Sequence, residues 1–227
     1  MKLRTKILFL LIPLIVLPLL FLGWIAFDRF KAIAQNKAFE QMNTLLNQIS
    51  LHVQTDLSTM EANIELFSNS QLLQRYFFAD EEDRYGLWQR PLLNLFASYV
   101  NAYPAYYELR VLMPDGYEDT RYTLEDIPNV SEEEGNTESF LEMSQSSQDI
   151  NIFLIDNPDL KKPAFLASKK MFLRDPAVEL ESTLKGYLTI TMRPDFLFEQ
   201  VKNEKIGKTG WLFLTDHHGK VLFEPDI

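Results

Sequence analysis

The chain has 227 residues, 46% of them hydrophobic, no cysteine and a formal net charge of −10 at pH 7. That apolar content is ample for a packed core and excludes a disordered chain. The acidic balance argues against nucleic acid and anionic lipid surfaces as partners, and the missing cysteine removes disulfide frameworks, thiolate zinc sites and cysteine nucleophiles.

Charge is spread unevenly. Residues 7–27 hold no charged side chain, Lys2, Arg4 and Lys6 precede them, and every Asp and Glu lies at or beyond Asp28. At about 1.5 Å of rise per residue, a helix of that length spans roughly 30 Å, the thickness of a bilayer's hydrocarbon core. The basic flank predicts a cytoplasmic terminus over 1–6, a transmembrane helix over 7–27, and residues 28–227 in the periplasm or outside the cell. A cleaved signal peptide is the rival reading. The apolar stretch is too long for one, and Leu22-Gly23-Trp24-Ile25-Ala26-Phe27 offers no Ala-x-Ala site. Pro13 and Pro18 are tolerated in a membrane helix.

Residues 28–78 contain no proline and read as one long helix. Met42, Leu46, Ile49, Val53, Leu57, Met60, Ile64 and Phe67 alternate at steps of three and four, a narrow apolar stripe of near-heptad period. Such a stripe packs on its own domain or pairs with its twin in a homodimer, and both can hold along one helix. At a length of about 75 Å it exceeds one small domain. A second helix is predicted over 91–102, with Pro91 in its first turn and Leu92, Leu93, Leu95, Phe96, Tyr99 and Val100 on a broad apolar face. Asp80-Glu81-Glu82-Asp83 before it reads as a solvated connection, not a metal site.

From Tyr106 the period changes to two. Glu108-Leu109-Arg110-Val111-Leu112, then Pro114-Asp115-Gly116, then Tyr117-Glu118-Asp119-Thr120-Arg121-Tyr122 predicts a hairpin turning at Asp-Gly. Residues 123–149 read as loop or short helix, and strands are predicted over 150–155, 164–172 and 186–192. The expected fold class is α+β: two helices, then a five-stranded antiparallel sheet. A helical segment near 195–205 follows. Then Leu212 and Leu214 stand before Gly219 as Leu109 and Val111 stand before Gly116, so a second copy of the hairpin module is expected to begin.

This order of parts resembles the double Cache (PAS-like) periplasmic sensor region of bacterial transmembrane signalling receptors. The stretches that carry the likeness are Gly186-Tyr187-Leu188-Thr189-Ile190-Thr191, at the last strand of a membrane-distal module, and Ile206-Gly207-Lys208-Thr209-Gly210-Trp211-Leu212-Phe213-Leu214-Thr215-Asp216, entering a membrane-proximal one. The resemblance implies a long helix over 28–78, a distal module over 79–194, a linking helix over 195–208 and the start of a second module over 209–227. It also implies a small-molecule sensor whose helices signal across the membrane. Amino-acid-binding members place an aspartate where this chain reads Thr189-Ile190-Thr191-Met192-Arg193, and their Trp-Tyr segment is missing, so the resemblance does not extend to amino-acid sensing.

Five residues are candidates for ligand contact: Arg110, Arg121, Phe140, Lys169 and Tyr187. With Lys170 and Arg193, the cations favour an anionic ligand such as a carboxylate. Each candidate has a structural alternative. Arg110 and Arg121 can pair across strands with Glu108 or Glu118, Phe140 and Tyr187 can pack in the core, and Lys169 and Lys170 point to opposite faces of one strand. His217 and His218 are adjacent in a turn and diverge, so no metal is expected. No phosphate loop, Gly-x-Ser-x-Gly or His-Glu-x-x-His occurs. The chain therefore reads as a binding module without cofactor, not an enzyme. The expected output, beyond this chain, is a cyclic diguanylate enzyme of the GGDEF/EAL type. The alternatives are a histidine kinase, a methyl-accepting chemotaxis protein, or a ligand-free dimer stalk.

Overall fold

The computed structural model describes residues 3–124, 134–157, 162–174, 181–193, 214–215, 219 and 221–223; the side chains of 3–13, 134, 162, 214 and 221–223 are outside that description. The chain divides into two units, residues 1–50 with 206–210 and residues 51–205 with 211–227. Helix α1 runs over Leu3–Ser68. In the first unit most of its described apolar side chains are exposed, Leu14, Trp24, Phe27 and Phe30 each by two thirds or more. Among the described residues no helix is long and apolar enough to cross a membrane. The charge-free run over 7–27 reaches into residues whose side chains are not described.

The second unit contains the sheet. The helix expected over 28–78 is interrupted: α1 ends at Ser68 and α2 spans Gln71–Phe78. Ser68-Asn69-Ser70 explains the break, because short polar side chains compete for backbone groups. The Ser68 hydroxyl and the Asn69 amide both donate to the Glu65 carbonyl, and extended Ser70 accepts from the Leu73 N–H to cap α2. The expected solvated connection is also helical. Asp80 accepts from the Asp83 N–H to start α3, Glu81–Asp83, a π-helical turn follows over Arg84–Trp88, and α4 spans Gln89–Ala102.

Strands β1 (Tyr106–Leu112) and β2 (Glu118–Thr123) form the expected hairpin. The Gly116 N–H donates to the Met113 carbonyl at 2.9 Å, closing a turn through Pro114 and Asp115. Gly116 then takes φ of 88°, which a residue with a Cβ adopts only at a cost. A short 3₁₀ turn over Glu134–Asn136 and α5 over Glu138–Gln145 come next, with Thr137 capping α5 through the Phe140 N–H. Strands β3 (Ile150–Asn157), β4 (Lys162–Leu173) and β5 (Thr183–Met192) are each longer than expected. The sheet order is β2-β1-β5-β4-β3, with every neighbouring pair antiparallel.

The register sorts residues between two faces. Leu109, Val111, Ala167, Met171, Leu188 and Ile190 turn to the helices and join Met60, Ile64, Phe67, Tyr76, Leu92, Phe96 and Val100 in the main core. The apolar stripe of α1 is thus used at one end. Met60, Ile64 and Phe67 are buried and Leu57 packs against the core, while Met42 and Leu46 stay exposed. Gly186 lies where β5 meets β1, and a Cβ there would run into the Leu112 carbonyl and the Phe77 ring.

The later hairpin is present in outline. β6 (Leu214–Thr215) and β7 (Val221–Phe223) pair antiparallel, and Gly219 takes φ of 82°, close to Gly116. The described residues show this two-stranded sheet and not a second module. The helix expected over 195–205 and the His217-His218 turn lie outside the described residues.

Candidate functional site

The sheet face turned away from the helices is polar and yet buried. Cross-strand pairing puts Arg121, Arg110, Thr189, Ser168 and Asn151 in one row across all five strands, and Thr123, Glu108, Thr191 and Leu166 in the next. Glu108, Arg110, Asn151, Ser168, Thr189 and Thr191 are all buried. Polar residues at alternate positions of a strand ordinarily mark a solvated face. Here they are enclosed, and buried polar groups demand partners.

Glu108 is the centre of the cluster. Its Oε1 accepts from Arg110 Nη2 at 2.9 Å and from Arg121 Nε at 2.6 Å, and its Oε2 accepts from Thr191 Oγ1 at 3.2 Å. Arg110 Nε also lies 3.4 Å from Glu118 Oε2. Among the described residues two guanidiniums thus meet two carboxylates in this cluster. Among the described residues, the Ser168 Oγ is fully buried and has no hydrogen-bond partner. Leaving a buried hydroxyl unpaired costs about 1–3 kcal/mol, so a polar ligand atom there would be favoured.

Helix α5 covers one end of this face. Phe140 and Met143 pack on Leu112 and Tyr187, with the Phe140 and Tyr187 rings edge to face at 5.3 Å. Lys170 Nζ donates to the Ser144 and Ser146 carbonyls at 2.9 and 2.6 Å, placing a cation on the carbonyl end of α5. Asn151 accepts from the Ser146 hydroxyl at 2.6 Å. Burial pushes the Tyr187 hydroxyl up from its ordinary pKa, so it stays protonated and able to donate. Between α5 and β3 opens a cleft of about 450 Å³, lined by Glu138, Glu142, Phe153 and Asp156 among others. None of the five expected ligand residues lines it.

Four of those five do share the polar face. Arg110 and Arg121 meet through Glu108, and Phe140 meets Tyr187. Lys169 lies across the sheet, because its neighbours Ser168 and Lys170 take the polar side, and it pairs with Glu65 of α1. That ion pair holds the Glu65 carboxyl below its usual range. Sequence reasoning treated Glu108 only as a counter-ion and did not single out Ser168, Thr189 and Thr191. The signal available was the Thr189-Ile190-Thr191 alternation, which does not distinguish an enclosed polar face from a wet one.

A second polar knot ties β2 to the helices. Asp119 sits where the β1–β2 register shifts and accepts from Tyr76 at 2.5 Å, Tyr85 at 2.9 Å and Arg84 at 3.3 Å. Burial and the Asp119 carboxylate push the Tyr85 hydroxyl up to about 12, and Tyr76 is raised by the same causes. Among the described residues no cluster of three or more side chains suited to a metal gathers.

Neither a protein-family model nor a curated protein sequence matches the chain. Solved structures do. The extracellular domain of a protein assigned as a histidine kinase superposes with a TM-score of 0.56 at 15% identity, over 73% of this chain and 60% of that one. A domain of a sensory box/GGDEF family protein from Vibrio parahaemolyticus gives 0.59 at 14%, over 80% and 69%. The ligand-binding domain of a Campylobacter jejuni chemoreceptor, solved with 4-methylisoleucine, gives 0.60 at 14%, over 82% and 69%. The chain spans 60% to 69% of the lengths of these domains. The resemblance drawn from the sequence is met at the level of fold: the chain has the fold of extracellular sensor domains.

Proposed function

We propose that this chain is the extracytoplasmic ligand-sensing region of a membrane-anchored bacterial receptor, binding a small carboxylate-bearing molecule on the polar face of its sheet. The observation that carries this reading is the enclosed row of Arg121, Arg110, Thr189 and Ser168, which includes a buried hydroxyl without a partner. Burying so many polar groups contributes little to the stability of a sheet. The fold supports it, since one similar domain is the extracellular domain of a protein assigned as a histidine kinase and another is a chemoreceptor ligand-binding domain solved with 4-methylisoleucine.

In this reading residues 7–27 are the membrane anchor, residues 1–6 lie in the cytoplasm and 28–227 outside it. Residues 79–194 are the distal module, 195–208 the linking helix and 209–227 the opening of a second module. The exposed upper stripe of α1, with Met42 and Leu46, is the seam of a homodimer. A cyclic diguanylate enzyme is the proposed output, and the similar domains include a GGDEF protein alongside a kinase and a chemoreceptor. Ligand would favour one of two helix positions by its differential affinity for them.

The test is thermal unfolding of the full chain in detergent or nanodiscs against a panel of small carboxylates and amino acids. A ligand held at a hundred times its dissociation constant adds about 2.7 kcal/mol, visible as a rise of several degrees in Tm. A panel that leaves Tm unmoved sinks the reading.

A further inference from the structure

The two edges of the central sheet are built differently. β2, at one edge, is blunted: its ladder with β1 is broken by a register shift, Glu118, Asp119 and Arg121 stand along it, and Asp119 is bonded to Tyr76, Arg84 and Tyr85 of the helical layer. β3, at the other edge, carries none of these devices. Ile150–Asn157 pairs with β4 residue for residue without a bulge, contains no proline, glycine or lysine, and has Asp156 as its one charged side chain. Alternate residues of such a strand turn their N–H and C=O groups outward, and among the described strands none takes them.

The cleft of about 450 Å³ follows this edge. Phe153, Leu154, Ile155 and Asp156 form one wall, and Glu138 and Glu142 of α5 stand on the other. Consecutive strand residues point to opposite faces, so a cleft that touches four in a row lies along the rim of the sheet and not over one face of it. Leu154, Asp156, Glu138 and Glu142 are all exposed there.

We propose that the β3 edge is a docking site for an extended, basic segment of a partner protein, which enters the cleft and adds a sixth strand to the sheet. Main-chain hydrogen bonds to β3 hold such a segment, and its side chains decide which segment is held. Alternate side chains of an added strand share a face. Lys or Arg on the face toward α5 meets Glu138 and Glu142, while an aliphatic side chain on the other face lies beside Leu154, which is out of step with Asn151 and so points away from the polar row. Charge selects this occupant over a second copy. The chain carries a net −10, and pairing β3 with β3 brings two acidic rims together. The proposal rests on residues other than those of the ligand reading above.

The experiment follows fluorescence anisotropy of a labelled, end-capped peptide of alternating Lys and Val, matched in length to the eight residues of β3, on titration with the full chain in detergent or nanodiscs. Saturable binding is expected, with slower hydrogen exchange over Ile150–Asn157. Methylating the peptide's valine nitrogens keeps every charge but removes strand donors, and should weaken binding by about tenfold or more. A Glu-Val peptide should not bind. Glu138→Gln with Glu142→Gln should weaken the Lys-Val peptide by about fivefold, and Leu154→Lys by a similar factor. All three positions are exposed, so these variants are expected to fold as wild type does.

Equal affinity for the methylated peptide leaves charge attraction alone and overturns strand addition. Equal affinity for the Glu-Val peptide overturns the basic partner. Self-association of the chain that disappears in Leu154→Lys makes a second copy the occupant and also overturns it. A Lys-Val peptide that does not bind removes the docking site altogether, and none of these results bears on the ligand reading.

Discussion

The two faces of the central sheet are built from the same five strands, with residues alternating one by one between them. On the helix side Leu109, Val111, Leu188 and Ile190 meet α1, α2 and α4 and form the main core. On the other side their immediate neighbours Glu108, Arg110, Thr189 and Thr191 are buried to a similar degree but joined by hydrogen bonds and ion pairs. Equal burial therefore hides opposite energetics. The apolar face gains free energy from every methylene removed from water. The polar face gains little and is costly wherever a partner is missing, so its presence calls for a reason other than stability.

The sharpest way to break this contrast is substitution on the apolar face. Ile190→Ala should lower stability by about 2–5 kcal/mol in denaturant unfolding of the full chain, since both lost contacts and a cavity contribute. A loss no larger than that of a surface residue would mean the helix side is not the structural one. Next in size is the Asp119 knot. Asp119→Asn keeps the shape but weakens three hydrogen bonds, and should cost about 1–3 kcal/mol.

The same knot predicts an alkaline limit. The folded-state pKa of Tyr85 lies above the ordinary value of 10.0, at about 12, so the stabilisation is fully present below 10 and is lost as pH rises through the folded value. The unfolding midpoint should fall between about pH 10 and 12, and the fall should shrink in Tyr85→Phe. Ser168→Ala should be neutral, or stabilising by up to about 1 kcal/mol, because it removes an unpaired buried hydroxyl. It should nonetheless weaken ligand binding, which is the sign that separates the two faces. Lys169→Ala comes last. It breaks a pair with the half-exposed Glu65, worth less than about 1 kcal/mol, and should leave ligand binding unchanged.

Much of the fold is legible in the sequence because it follows from local period and turn chemistry. The hairpin over β1 and β2 is announced by Pro114-Asp115-Gly116, and the strands by alternating apolar residues. The misread parts are those where polar side chains act on the backbone. Ser70 and Asp80 cap new helices in places that resemble a continuous helix and a solvated link. The candidate site is legible only in part. Arg110, Arg121, Phe140 and Tyr187 were found as residue types near the sheet, while Lys169 was assigned without knowing its face, which depends on register with β5.

By itself the sequence determined the α+β class, the strand count and the apolar stripe, since each depends on spacing within a few residues along the chain. Only the tertiary structure decided that the alternate polar residues are enclosed, that Glu108 lies between two arginines, and that Ser168 is left without a partner. Those facts arise from pairing distant strands, Glu108 and Thr191 for example being 83 positions apart, and no local pattern encodes the distance between them.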